Sequence, residues 1–225
     1  MLTTLCINHS CSSKMLLVQL FVLLFIISTD GAAVGTTFAP DRENSESPKL
    51  EQDIIQGLFS DSMLWNNVDY TRRFIAAGAV VDEPNSLGRT GIITASLAPS
   101  LDIVRLLIDS GAEFNTIAPC GFTALMAATY SGELPIVDLL IENGADLDLR
   151  DAINGETALL FAVKVKAWAI AKSLIRAGAS CLIPDKREIS PLDIAREQVQ
   201  QYPRNPEFAE ILRMMENSTS GYALK

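Results

Sequence analysis

The 225 residues carry 18 Lys and Arg against 27 Asp and Glu, a formal charge of −9, with 48% apolar and 20% charged residues. That is an ordinary globular balance with room for one or two domains, and its acidity argues against nucleic acid or anionic lipid as a partner. The single histidine, His9, precedes the first apolar run, so Ser-His-Asp and Cys-His nucleophiles and His-rich zinc sites are excluded from the rest of the chain.

The first segment reads as an export signal. Lys14 precedes Met15–Ile27, thirteen residues that are apolar except for Gln19, and Gly31, Ala32 and Ala33 come after them. A positive residue, a short apolar stretch and a small-residue exit are the parts of a secretory signal peptide. The run is short for a membrane-spanning helix, which needs about 20 residues. Residues 1–33 are therefore expected to be a signal peptide cleaved after Ala33, with cleavage after Gly31 as the alternative site. An uncleaved signal anchor is the alternative, and Met15 is an alternative start. Either way the charge pattern, Lys14 before the run and Asp30, Asp41 and Glu43 after it, places the body of the chain outside the cytoplasm. The expected location is secreted or periplasmic, or membrane-anchored with the body outside. Residues 34–49, rich in Thr, Ser, Pro, Asp and Glu, are expected to be a flexible linker.

The body repeats. Gly-Ala pairs at 78–79, 111–112, 144–145 and 178–179 are spaced by 33, 33 and 34 residues. In phase with them run Thr90–Ala95, Thr123–Ala128, Thr157–Ala162 and Ser190–Ala195, each with Leu or Ile at the third position. A third marker, the apolar stripe of 102–108, 135–141 and 169–175, precedes the later Gly-Ala pairs. The hydroxyl suits a helix N-cap. The stripe predicts a helix with one buried face. Glycine ends that helix at positive φ without steric cost. Each unit is thus predicted to be helix, turn, helix and connecting loop, and only stacked units bury their apolar faces.

This pattern resembles the ankyrin repeat family over about residues 51–216. The resemblance implies an all-α solenoid of stacked helix-turn-helix units joined by hairpin loops. Within residues 50–216 we read an N-terminal cap at 50–81, repeats at 82–114, 115–147 and 148–181, and a C-terminal cap repeat at 182–216. Residues 217–225 are expected to be a flexible tail. The family's TPLH tetrapeptide survives only as Thr-Gly-Ile-Ile (90–93), Thr-Ala-Leu-Met (123–126), Thr-Ala-Leu-Leu (157–160) and Ser-Pro-Leu-Asp (190–193). Its histidine is missing from every unit, so the histidine hydrogen-bond network between repeats is expected to be absent and stability to be lowered.

The resemblance also implies a protein partner on the concave face made by hairpin tips and first helices. Carried over by position, the candidate contacts are Leu87, Arg89, Leu97, Ile117, Phe122, Tyr130, Ile153, Lys164, Val165 and Ile189, with Ser131 and Gln198 also on that face. The apolar members would form a strip centred on Phe122 and Tyr130, and exposed contiguous apolar surface marks interaction sites. Cys120 and Cys181 are expected to be unpaired thiols, and Asp146, Asp148 and Asp151 a solvated acidic loop. Asn217-Ser218-Thr219 is a candidate glycosylation acceptor. No cofactor, metal or catalytic residue is expected, and a monomer is. The leading expectation is a non-catalytic protein-protein interaction module acting outside the cytoplasm; the alternative is an inhibitor or accessory subunit of an exported enzyme.

Overall fold

The computed structural model describes residues 47–220. The chain separates into units 1–50 and 51–225. The expected signal segment (1–33) and all but the last three residues of the expected linker (34–49) lie outside the described residues. Those last three are helical, because the first helix begins at Ser47 with Pro48 in its first turn, where a missing N–H costs nothing. No helix among the described residues is long and apolar enough to cross a membrane.

The described residues form ten helices and no strand: α1 (Ser47–Leu64), α2 (Val68–Ala76), α3 (Gly91–Leu97), α4 (Leu101–Asp109), α5 (Ala124–Ser131), α6 (Leu134–Glu142), α7 (Ala158–Lys164), α8 (Trp168–Arg176), α9 (Pro191–Gln201) and α10 (Pro206–Ser220). From α3 onward consecutive helices pack as pairs. First helices α3, α5, α7 and α9 contact one another in one column, and second helices α2, α4, α6, α8 and α10 in another. The fold is the all-α repeat stack that the 33-residue period predicts. Helix α10 continues to Ser220, past the Glu216 at which the repeat was expected to end. Its extension is held where Ser218 Oγ donates to Met215 O and lies 3.4 Å from Cys181 Sγ.

The periodic residues fill the roles their spacing assigns. The alanines closing the first-helix motif, Ala95, Ala128 and Ala162, are wholly buried, so neighbouring first helices approach closely. On second helices the buried stripes are Ile103, Val104 and Leu107, then Ile136, Val137 and Leu140, then Ile170, Ala171 and Leu174. Fully burying each large member contributes about 1.5–3 kcal/mol. Gly144 leaves α6 at φ 85°, and the Ala145 N–H returns to Leu140 O. Thr123, Thr157 and Ser190 cap their helices, accepting from Met126, Leu160 and Asp193 N–H at 3.2, 3.2 and 3.3 Å. Thr90 departs from the expectation. Its hydroxyl makes no cap bond and is buried without a partner, at a helix start that packs Gly91 against the Met63 thioether of α1.

The lost histidines are not the end of hydrogen bonding between units. The residue after each Gly-Ala pair has its N–H accepted by a side chain from the start of the same unit, which ties the loop leaving a helix pair to the loop entering it. Gln56 Oε1 takes Val80, Asp82 Oδ1 takes Glu113, Asn115 Oδ1 takes Asp146, and Asp148 Oδ1 takes Ser180, at 2.7–2.9 Å. Asp82, Asn115 and Asp148 are themselves 33 residues apart. The hairpin tips are joined by a second row, in which Cys120, Ala152 and Lys186 N–H groups donate to Gly88, Gly121 and Asn154 carbonyls. With the motif's histidine missing from every unit, the links between units come from these tip backbone bonds, together with Ser131 Oγ to Ser96 O and Gln198 Nε2 to Val163 O. Asn115→Ala is expected to cost about 1 kcal/mol in urea unfolding, since it strands the Asp146 N–H. Thr90→Val should instead raise stability by about 1 kcal/mol, because it removes a buried hydroxyl that nothing satisfies.

Candidate functional site

The hairpin tips are built by one residue per unit. Asn85, Ala118, Asp151 and Asp185 occupy the equivalent position, 33, 33 and 34 residues apart. Asn85 Oδ1 accepts the Leu87 and Arg89 N–H groups, and Asp185 Oδ1 accepts those of Arg187 and Ile189. Asp151 is the tightest: Oδ1 accepts from Ile153 and Asn154, both at 2.7 Å, and Oδ2 from Glu156 at 2.5 Å. Asp151 and Asp185 are buried. Asp151 is thus a loop organiser and not part of a solvated acidic cluster, as its place beside Asp146 and Asp148 suggests. Ala118 has no side-chain acceptor, so its tip is closed by backbone alone, through Ala118 N–H to Phe122 O and Gly121 N–H to Ala118 O. The tips turn through positive φ at Gly88 (69°), but the last one uses Glu188 (64°), a conformation a side chain resists.

Three hollows run along the face between tips and first helices. The first, about 430 Å³, is lined by Leu87, Arg89, Ile93, Leu97, Cys120, Phe122, Ala127 and Tyr130. The second, about 180 Å³, shares Phe122 and Tyr130 with it and adds Met126, Phe161 and the Asp151–Thr157 loop. The third, about 340 Å³, shares Asn154 and Glu156 with the second and adds Ile153, Lys164, Asp185, Lys186 and Arg187. Seven of the ten predicted contact residues therefore line these adjoining hollows: Leu87, Arg89, Leu97, Phe122, Tyr130, Ile153 and Lys164. Ile117 and Val165 are exposed outside these hollows, and Ile189 is half-buried with its N–H and C=O both bonded to Asp185. The Tyr130 ring stacks on Phe161 at 5.5 Å between centroids while remaining 63% exposed.

The third hollow holds the strongest electrostatics. Lys164 Nζ lies 2.8 Å from Glu156 Oε1 and 2.7 Å from Asp185 Oδ2. Burial disfavours the ammonium, but its bonds to Asp185 and Glu156 outweigh that and hold Lys164 above its ordinary value. The same Lys164 bond, helped by the Ile189 and Arg187 N–H groups against the cost of burial, lowers the Asp185 carboxyl to about 2. Lys186 Nζ donates to Ala152 and Ile153 carbonyls and braces the preceding tip, while Arg150 Nε donates to Gly155 O and braces its own.

Two positions expected to face a partner instead fasten the stack. Ser131 Oγ donates to Ser96 O at 2.7 Å, and buried Gln198 reaches Val163 O. Cys120 and Cys181 are free thiols, Cys120 half-buried at the hollow and Cys181 buried, where desolvation raises its pKa. Asn217 is exposed on α10, and Thr219 Oγ1 donates to Glu216 O within the same helix. No cluster of metal-ligating side chains occurs among the described residues. Residue-by-residue reading missed Phe161 and the structural part of Asp185. The recurrence of Asn, Ala, Asp and Asp in register was the available signal for the latter.

The family model described as ankyrin repeats (3 copies) matches residues 62–151 and 94–185, together more than half of the chain. No curated protein matches the sequence.

Because its folded pKa is depressed, Asp185 stabilises the fold above its ordinary value of 3.8, and that contribution is lost as pH falls from about 4 through about 2. Asp193, lowered by the Ser190 hydroxyl and N–H at the start of α9, acts in the same direction. Asp185→Asn should cost about 1–2 kcal/mol in urea unfolding near neutral pH. Its difference from the unmodified chain should shrink toward zero as pH nears 2. A constant difference across that window would exclude the ion pair as its source.

Proposed function

The chain belongs to the ankyrin repeat family, and from that premise we propose that it is a non-catalytic module that binds a protein partner in the depression between its hairpin tips and first helices, outside the cytoplasm. Ankyrin repeats are in general protein-protein interaction modules and are typically not catalytic. The observation that carries the proposal is the row of three hollows that share lining residues, with half-exposed aromatic rings at its centre. Leu87, Leu97, Phe122 and Tyr130 present apolar area that the chain's own packing leaves open, and aromatic residues of this kind dominate interface energetics. The stack beneath is rigid and buried, so the partner meets a preformed surface and binding costs little ordering. The proposal of export rests on Lys14, the apolar run from Met15 to Ile27 and the small residues Gly31, Ala32 and Ala33.

A photo-crosslinking residue placed at Tyr130 is expected to form protein adducts in the exporting cell, whereas the same residue at Arg105, exposed on α4, is not. Equal labelling from both positions would reject the proposed face. Mass spectrometry of chain recovered outside the cytoplasm is expected to show a mature start at Ala32 or Val34. Recovery from cytosol alone, with the N-terminus intact, would reject export.

A further inference from the structure

We propose that the partner segment is acidic at both ends with an apolar or aromatic centre. This rests on the binding reading above and specifies its chemistry. The chain carries −9 overall, yet the side chains lining the three hollows carry four cations against three carboxylates, so the local balance is positive. The three carboxylates are also already engaged. Asp151 is surrounded by three loop N–H groups, and Glu156 and Asp185 hold Lys164. The charges left for a ligand are therefore cationic.

Their placement is at the ends. Arg89 borders the first hollow beside Leu87 and Leu97, and Lys186 and Arg187 border the third. The guanidinium groups of Arg89 and Arg187 make no hydrogen bond or ion pair among the described residues. Two unpaired guanidiniums flanking an apolar depression match carboxylates better than any other group a peptide offers, because the planar fork pairs with carboxylate oxygens two at a time. Between them, Phe122, Tyr130 and Phe161 supply the ring faces on which an apolar side chain packs. Arg89 lies in the second unit and Arg187 in the fifth, three repeat steps apart. Packed helices sit about 8–10 Å apart, so the ends are about 25–30 Å apart. An extended segment crosses that span with about eight or nine residues. Acidic residues at that separation, with the anchor between them, define the ligand.

The test is selection of a random linear-peptide library on the full chain, counter-selected on the Tyr130→Ala variant. Retained peptides are expected to carry Asp or Glu on both sides of an aromatic or long aliphatic residue. Their binding should weaken as salt is raised and fall about tenfold on an Arg89→Glu/Arg187→Glu chain with unchanged helical circular dichroism. If the Tyr130-dependent peptides are neutral or basic, or indifferent to the charge reversal, the acidic assignment is overturned while the binding face stands. If no peptide depends on Tyr130, the binding face and the assignment fall together.

Discussion

The structure depends on a register held by one recurrent hydrogen bond. A side chain at the start of a unit accepts the N–H that comes after the Gly-Ala pair at the end of the same unit. Asp82, Asn115 and Asp148 do this for Glu113, Asp146 and Ser180, and Gln56 of the capping helix does it for Val80. That N–H lies in the loop past a helix C-terminus, where no helix or strand ladder supplies an acceptor. Satisfying it from the start of the same unit ties the loop that enters each helix pair to the loop that leaves it. Successive loops are thereby held at one offset, and with them the first helices whose buried alanines face one another. A helix pair slipped by even one residue would break this bond and bury the wrong stripe at once.

That coupling explains why the fold was legible in the sequence. The Gly-Ala pairs, the hydroxyl caps and the stripes each recur at 33 or 34 residues because each serves the same contact in every unit. Degraded tetrapeptides did not obscure it, since Thr123, Thr157 and Ser190 keep the capping oxygen even where the rest of the motif has drifted. What the period does not reveal is where a residue conforms in type but not in bonding. Thr90 matches the pattern, yet its hydroxyl is unpaired in the buried seam against α1. That seam joins a repeat to a longer capping helix of a different kind, so local identity cannot report its geometry. The ends behave likewise. Helix α10 passes Glu216 because contacts from Ser218 to Met215 and Cys181 favour another turn, contacts that no periodicity encodes.

The candidate site was legible in outline. Position in the repeat placed Leu87, Leu97, Phe122 and Tyr130 on one face, and they line one hollow. The chemistry of the charged end was not. Asp151 and Asp185 look like soluble loop acids when read locally, because acidic residues are usually exposed. They are buried because a tip has two or three inward N–H groups and a carboxylate satisfies them together. Asp185 then has an oxygen free for Lys164, which draws Glu156 into the same network. A long-range pair of this kind, 21 residues apart, comes from the stacking and not from any local motif.

The two rows of loop bonds divide the labour of the molecule. Backbone bonds between tips, from Cys120, Ala152 and Lys186 to the preceding tip, use no side chain. They hold each loop against the next while leaving the side chains at 87, 89, 122, 153 and 187 free to differ from unit to unit. The residues that must repeat are therefore buried or bonded to backbone, and the residues that do not repeat line the hollows. The same separation explains the charge pattern. Carboxylates are consumed inside the tips, where backbone donors need an acceptor. Arginine has no acceptor to offer and can satisfy none of those donors, so the Arg89 and Arg187 guanidinium groups stay outside the tip networks, and the unpaired charges bordering the hollows of an acidic chain are cationic.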